Sequence, residues 1–206
     1  MLLDLKKLIN KYNLNIKGVI HIGAHHGQEN KTYDEVGIKN RIFFEPLESN
    51  FKTLKNNISN EYVLINKALG NEEKDIKMFV ESANMGQSSS ILKPKLHKIQ
   101  YPHIKFESEE IVKMVKLDNV EFNREEYNFI NIDVQGYELE VFKGGKKTLE
   151  SIDYVMSEIN REELYENCAK VDELIEFLSE YEFELVEEDW AGRTWGDGLF
   201  IKKSLT

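Results

Sequence analysis

A short glycine turn and one acid about twenty residues beyond it carry the first chemical signal in this sequence. The turn is Gly23-Ala24-His25-His26-Gly27 and the acid is Glu45. Glycine or alanine in such a turn lets the backbone approach a ligand closely. A carboxylate at that distance suits a bidentate grip on two ribose hydroxyls. The turn alone is weak evidence, because any tight strand-to-helix connection in an α/β protein can read the same way. Turns that seat a pyrophosphate on a helix end read Gly-x-Gly-x-x-Gly. Here Ala24 and His25 follow Gly23 and no third glycine stands at that spacing, which favours a cofactor without phosphates.

Asp133-Val134-Gln135-Gly136 puts a second carboxylate on the opposite rim, although a rim aspartate also serves as a helix N-cap. Glu158 ends the next apolar run, where it could equally anchor the Asn160-Arg161 turn. Asp133 and Glu158 together could hold Mg²⁺ through hard oxygen ligands, but two carboxylates do not make a metal motif. His21 lies inside an apolar run and reads as a buried structural hydrogen-bonder. His25 or His26 can touch a ligand from the turn. His97 is a candidate substrate-side acid or base, set against a solvated loop histidine, the simpler reading also for His103. Ser88, Ser89 and Ser90 could donate to ligand oxygens or simply form a polar turn. Tyr101, Trp190 and Trp195 could stack on a sugar face; Trp190 reads equally as core, and Trp195 sits among glycines in a loop-like setting.

The elements that must position these groups alternate between apolar runs and helical periodicity, the pattern of a doubly wound α/β sheet. Strands are expected at Gly18–Gly23, Arg41–Glu45, Tyr62–Leu69, Asp75–Val80, Ile111–Leu117, Asn128–Val134 and Tyr154–Ile159. Phe183–Val186 and Gly198–Lys202 read as a closing antiparallel pair. Helices are expected over residues 1–15, from Gln28 to Val36, from a Ser49 cap to Asn57, from Glu138 to Glu150, and from Val171 to Tyr181. Glu81–Glu109 shows no periodicity, so it is expected to form a lid or substrate loop.

The 206 residues, with no repeat or linker, suit a single domain spanning 1–206. A net charge of -10 opposes tight binding to nucleic-acid phosphates. The lone Cys168 excludes an intrachain disulfide. The charged N-terminus does not read as a signal peptide, and no apolar run is long enough to insert in a membrane, so a cytoplasmic location is expected.

Over Gly18 to Lys202 the sequence resembles the FkbM family of methyltransferases. The resemblance rests on VIHIGAHHGQE (Val19–Glu29), FFEP (Phe43–Pro46), NKALG (Asn66–Gly70), KLD (Lys116–Asp118) and NFINIDVQGYELEVFKGG (Asn128–Gly145). Many members carry Asp at the place of His21, Asn at His25 and Glu at Gln135. This chain resembles a sub-branch with HIGAH and DVQG, which also carries QSSS (Gln87–Ser90), His97–Pro102 and Trp195–Asp197. The resemblance implies a Rossmann-like methyltransferase fold, seven core strands with the last antiparallel, helices on both faces, and S-adenosylmethionine as cofactor. By the same likeness Gly23, Ala24, His25 and Gln28 line the methionine side and Glu45 takes the ribose. Pro46 and the Lys67-Ala68 turn flank adenine, and Asp133 with Gln135 lies near the methyl donor. Members are mostly O-methyltransferases, so the expected acceptor is a hydroxyl of a sugar, glycan or similar small molecule, most narrowly a deoxyhexose. Asp133 is then the first choice of general base, Glu158 the second, and His97 a further candidate; Ser89, Tyr101 and Trp195 are expected on the acceptor side. A binding or scaffold module of the same fold without catalysis is the alternative, and a nicotinamide-dependent oxidoreductase is disfavoured by the missing glycine.

Overall fold

A computed structural model describes all residues 1–206. In chain order the elements are α1 (Leu5–Tyr12), β1 (Gly18–Ile22), α2 (Asn30–Glu35), β2 (Asn40–Phe44), α3 (Glu48–Asn57), β3 (Val63–Ile65), β4 (Ala68–Leu69), β5 (Lys74–Glu81) and α4 (His97–Gln100). There follow β6 (Phe106–Val115), β7 (Phe129–Ile132), α5 (Glu138–Lys143), α6 (Lys146–Ser151), β8 (Tyr154–Asn160), α7 (Val171–Ser179), β9 (Phe183–Ala191) and β10 (Trp195–Lys202).

The main sheet has seven strands in the order β3-β2-β1-β7-β8-β10-β9. All its pairings are parallel except those of β10, which runs antiparallel to both β8 and β9. Every residue of β1, β7 and β8 is buried, as a parallel sheet covered on both faces requires. Strand alternation divides the core in two. Ile20, Ile22, Ile42, Phe44, Ile130 and Ile132 pack with Val141, Phe142, Leu149, Leu174 and Leu178 of α5, α6 and α7. Val19, Phe43 and Phe129 pack with Leu5, Leu8, Tyr33 and Leu54 of α1, α2 and α3 on the other face. The fold expectation holds in sheet size, strand direction and two-sided helix cover.

Several boundaries differ, each for a local reason. The run Tyr62–Leu69 is two strands, because the chain leaves the main sheet after Ile65 and β4 joins a second sheet of order β4-β6-β5. The irregular segment is shorter than Glu81–Glu109. Strand β5 continues through Glu81 and β6 starts at Phe106, which pairs with Glu81. Ser49 is not a cap: α3 starts at Glu48 with Leu47 in the capping position, and the Leu47 amide is taken by Glu45. Glu138–Glu150 is broken in two at Gly144-Gly145. A Cβ on Gly144 would lie 1.9 Å from the carbonyl oxygen of Gly70, so the second sheet presses directly on that break. Trp195 is the first residue of β10, paired with Asn160 and Ala191, rather than a loop residue. No helix is long and apolar enough to cross a membrane.

Candidate functional site

Strand order reverses at β1, whose neighbours are β2 on one side and β7 on the other. A ligand crevice opens at the carboxyl ends of the strands beside such a point. Gly23 follows β1, Glu45 follows β2, Asp133 follows β7, and Glu158 lies near the end of β8. Gly23 has φ +80°, and a Cβ there would lie 1.9 Å from the carbonyl oxygen of Asp133. The turn and the opposite rim are therefore in backbone contact, and only glycine permits it.

Four of the five amides of the turn are engaged within the protein. Those of Gly23 and Ala24 donate to the carbonyl of Phe44, that of Gly27 to Ala24, and that of His25 to Glu45. They are not directed at a ligand, contrary to the usual picture of a helix N-terminus. A pyrophosphate would need those free N–H groups, so the geometry agrees with the missing third glycine.

Glu45 is 5 % exposed. One carboxylate oxygen accepts the His25 amide and the other the Leu47 amide, each at 2.9 Å. Each oxygen keeps a lone pair for a hydroxyl donor. Burial pushes its pKa up to about 7, against the opposing pull of the two amides. Asn66 fixes the following backbone by donating to the carbonyls of Glu45 and Pro46, both at 2.9 Å.

The cleft beside Glu45 is walled by Phe44, Pro46, Leu47, Ala68, Leu69, Met78, Ile91 and Tyr137, an apolar slot suited to a flat base. Pro46 and Ala68 were legible in the sequence. Met78, Ile91 and Tyr137 were not, since they come from the second sheet, the segment after β5 and the DVQG turn.

A second cavity of about 390 Å³ adjoins the slot. The two share Gly23, His25, Gln87, Asp133 and Gln135. His97, Tyr101 and Trp195 line it together with Ala24, Gln28 and Glu158. Trp195 Nε1 donates to Tyr101 Oη at 2.8 Å, and the Tyr101 and His97 rings lie 5.0 Å apart. His97 Nδ1 is buried without a partner, and burial lowers the pKa of the ring, so it is neutral at neutral pH.

Ser89, expected on the acceptor side, lines the apolar slot instead, where its hydroxyl accepts the Glu81 amide at 3.2 Å. The segment between β5 and β6 is tied to both turns. His25 Nδ1 receives Gln28 Nε2 at 2.8 Å, so its Nε2–H donates to the Met85 carbonyl, also at 2.8 Å. Ser90 donates to the Gln135 carbonyl at 2.8 Å. His21 is the buried structural group expected: the Tyr33 hydroxyl, which receives Asn131 Nδ2 at 2.6 Å, donates to His21 Nδ1 at 3.2 Å.

Asp133 does not cap a helix. Gln135, held at φ +55°, bridges Asp133 Oδ1 and Glu158 Oε2 at 2.7 Å each. Two further residues belong here that the sequence did not single out. Glu138 is fully buried, its carboxyl pushed to about 7 by burial, and Tyr165 is buried beside Gln135. Burial and the neighbouring Asp133 hold Glu158 well above the usual carboxylate range.

This is the fold and crevice of a Rossmann-like methyltransferase domain. A profile of the methyltransferase FkbM domain matches residues 21–185, and the chain belongs to that family of S-adenosylmethionine-dependent methyltransferases. The 2-O-methyltransferase NoeI of Sinorhizobium fredii is 33 % identical over 97 residues, which cover 46 % of this chain and 40 % of that protein. Among solved structures, magnesium protoporphyrin IX methyltransferase from Synechocystis, with S-adenosylmethionine bound, superposes with a TM-score of 0.55 at 8 % identity. That match covers 97 % of this chain and 76 % of the other. An S-adenosylmethionine-dependent methyltransferase from Clostridium acetobutylicum gives a TM-score of 0.53 at 8 % identity, covering 96 % and 88 %. These structures share the fold.

The cofactor fits the residues present. Glu45 keeps acceptors free toward the cleft, the apolar slot has the lining a flat base would need, and Gly23 lets the two turns that frame the cleft touch. With four of its five amides engaged, the turn offers no row of free donors for a phosphate.

Proposed function

We propose that this chain transfers a methyl group from S-adenosylmethionine to a hydroxyl of a sugar or glycan, most narrowly a deoxyhexose unit. The observation that carries the reading is the meeting of two cavities at Asp133 and Gln135. One has the lining a nucleoside needs and the other the mixed polar and aromatic lining a sugar needs. The 2-O-methyltransferase relative supports an oxygen acceptor.

When bound, the cofactor supplies an electrophilic methyl on a sulfonium. The protein's task is then to align an acceptor oxygen with it and to remove the hydroxyl proton. Gly23, Ala24, His25 and Gln28 form the wall toward the methionine moiety; Glu45 takes the ribose; Pro46 and Ala68 flank the adenine. Asp133 and Gln135 stand at the junction. Trp195 and Tyr101 offer an apolar face to a pyranose ring. Asp133 is the base of first choice. His97, neutral in its buried setting, is the alternative across the cavity. Glu158 is the second choice; burial and the neighbouring Asp133 hold its carboxyl well above the usual carboxylate range.

The test is calorimetric titration with S-adenosylhomocysteine, followed by turnover against a panel of deoxyhexose and hexose acceptors with detection of the demethylated cofactor. Micromolar-range binding and methylation of a sugar hydroxyl are expected. A folded protein that binds no S-adenosylhomocysteine overturns the reading. Binding without transfer to any hydroxyl acceptor favours a non-catalytic module instead.

A further inference from the structure

The carboxyl groups at the inner end of the acceptor cavity crowd together, and the Met1 ammonium lines the same cavity without forming an ion pair with them. Asp133, Glu138 and Glu158 bring one carboxylate oxygen each within 4.8 Å of the others. No basic side chain forms an ion pair with any of them. Glu138 Oε1 accepts the amides of Val134 at 3.0 Å and Gly136 at 3.2 Å. Its Oε2, on a fully buried side chain, has no donor at all. An unpartnered buried carboxylate oxygen loses its hydration with nothing in return.

A second observation comes from outside the cluster. The Tyr165 hydroxyl lies 2.8 Å from the Ser88 carbonyl oxygen and 2.8 Å from Gln135 Oε1. Both are acceptors, and a hydroxyl has one proton to give. Turning the Gln135 amide over resolves the conflict, since its oxygen and nitrogen ends have nearly the same shape. Nε2 then donates to Tyr165, and Tyr165 donates to Ser88. The same rotation puts Gln135 Oε1 at the position 2.7 Å from both Asp133 Oδ1 and Glu158 Oε2. Three oxygens then face one another, with Glu138 beside them, and a cation among them would relieve their mutual repulsion.

We propose that Asp133, Glu138, Glu158 and the amide oxygen of Gln135 hold a divalent cation of the Mg²⁺ or Mn²⁺ class at the junction of the two cavities. An all-oxygen donor set selects hard ions of this kind. Asp133, Gln135 and Glu158 line the acceptor cavity, so the remaining coordination positions face it and are open to water or an acceptor hydroxyl. A cation there draws electron density from that hydroxyl and makes its proton easier to remove. Asp133 then serves as a ligand, and His97 takes the proton. This catalytic role rests on the methyl-transfer reading, whereas the binding of the ion does not.

The experiment uses the whole chain, stripped with a chelator. Mn²⁺ is titrated and followed by the paramagnetic resonance of the free ion, with Mg²⁺ titrated by calorimetry, each with and without S-adenosylhomocysteine. One ion per chain is expected, with proton release on binding. Glu158→Gln and Glu138→Gln should each weaken it at least about tenfold. Glu138→Gln also touches the Val134 and Gly136 amides, so circular dichroism checks its fold and Glu158→Gln stands as the independent variant. A wild-type protein that binds S-adenosylhomocysteine but neither ion overturns the proposal and leaves protons as the neutralising charge. Binding that survives both substitutions places the ion elsewhere and also overturns it. Ion binding with the expected losses, but no S-adenosylhomocysteine binding, supports the cation site while removing the methyl-transfer reading.

Discussion

If Glu45 grips the ribose, cofactor affinity must follow its ionisation, because hydroxyl donors bind a carboxylate far better than a carboxyl group. Burial places the pKa of this residue at about 7 in the empty protein. About one-tenth of the sites are then ionised at pH 6 and about nine-tenths at pH 8. Apparent affinity scales with the competent fraction, so S-adenosylhomocysteine should bind about tenfold more weakly at pH 6 than at pH 8. Two charge-assisted hydrogen bonds of about 1.5–3 kcal/mol each set the full contribution of the contact. Glu45→Gln should therefore lose at least about a hundredfold in affinity at pH 8.

The assay is calorimetry at pH 6, 7 and 8 in paired buffers of different ionisation enthalpy, which also counts the proton released near pH 7. Glu138, with its pKa at about 7, and Asp197, at about 6, titrate in the same range near the acceptor cavity. The decisive comparison is thus between wild type and Glu45→Gln: the variant must lose most of the slope as well as the affinity. Adenosine, which lacks the methionine arm, should keep the slope, and 2′,3′-dideoxyadenosine should not. A wild-type affinity that is flat from pH 6 to 8, or a slope unchanged in Glu45→Gln, would refute the ribose assignment.

The same carboxyl sets a stability trend. Its folded pKa lies above the unfolded value of 4.5, so the folded state binds the extra proton and the empty protein loses stability as pH rises from about 4.5 through 7. The loss is on the order of 3 kcal/mol from this residue, read as a falling melting temperature that added S-adenosylhomocysteine partly restores. Gly23→Ala should abolish cofactor binding and cost more than about 3 kcal/mol in denaturant unfolding, because a Cβ at φ +80° meets the Asp133 carbonyl. A variant of wild-type stability would contradict the close approach of the two turns. Trp195→Ala should raise the acceptor KM about 10–100-fold through lost ring contact and a lost hydrogen bond to Tyr101. Its S-adenosylhomocysteine affinity should stay within about twofold; loss of both would show that Trp195 supports the whole crevice.

How much of this was written in the sequence depends on the range of the interactions involved. Strand type was legible because GVIHI and NFINI are continuous apolar runs, and a parallel strand buried on both faces leaves that record locally. Gly23 and Glu45 were legible for a related reason: each lies at the end of such a run, where the fold opens its crevice. Boundaries failed where distant chain segments decide them. Tyr62–Leu69 has uniform strand character, yet it divides because Ala68 and Leu69 find a partner in β6, more than forty residues away. Glu138–Glu150 has helical periodicity throughout, but it breaks where Gly70 presses against Gly144.

The carboxylate cluster shows the same limit at the level of chemistry. Asp133 and Glu158 could be named from strand ends, whereas Glu138 stood only as the first residue of an expected helix. Only the left-handed Gln135-Gly136 turn, with φ +55° and +95°, folds that helix start back so that Glu138 caps the amides of Val134 and Gly136. Once it does so, one of its oxygens is spent on the backbone and the other is left facing the rim carboxylates. Position 135 thus governs both the shape of the turn and the charge it encloses. Gln135→Glu tests the two together: the backbone can stay as it is, but a fourth carboxylate enters a cluster that has no basic partner. With a bound cation the variant should fold and bind the ion more tightly. If protons alone neutralise the cluster, it should instead raise the carboxyl pKa values further and unfold at lower denaturant as pH rises above about 7.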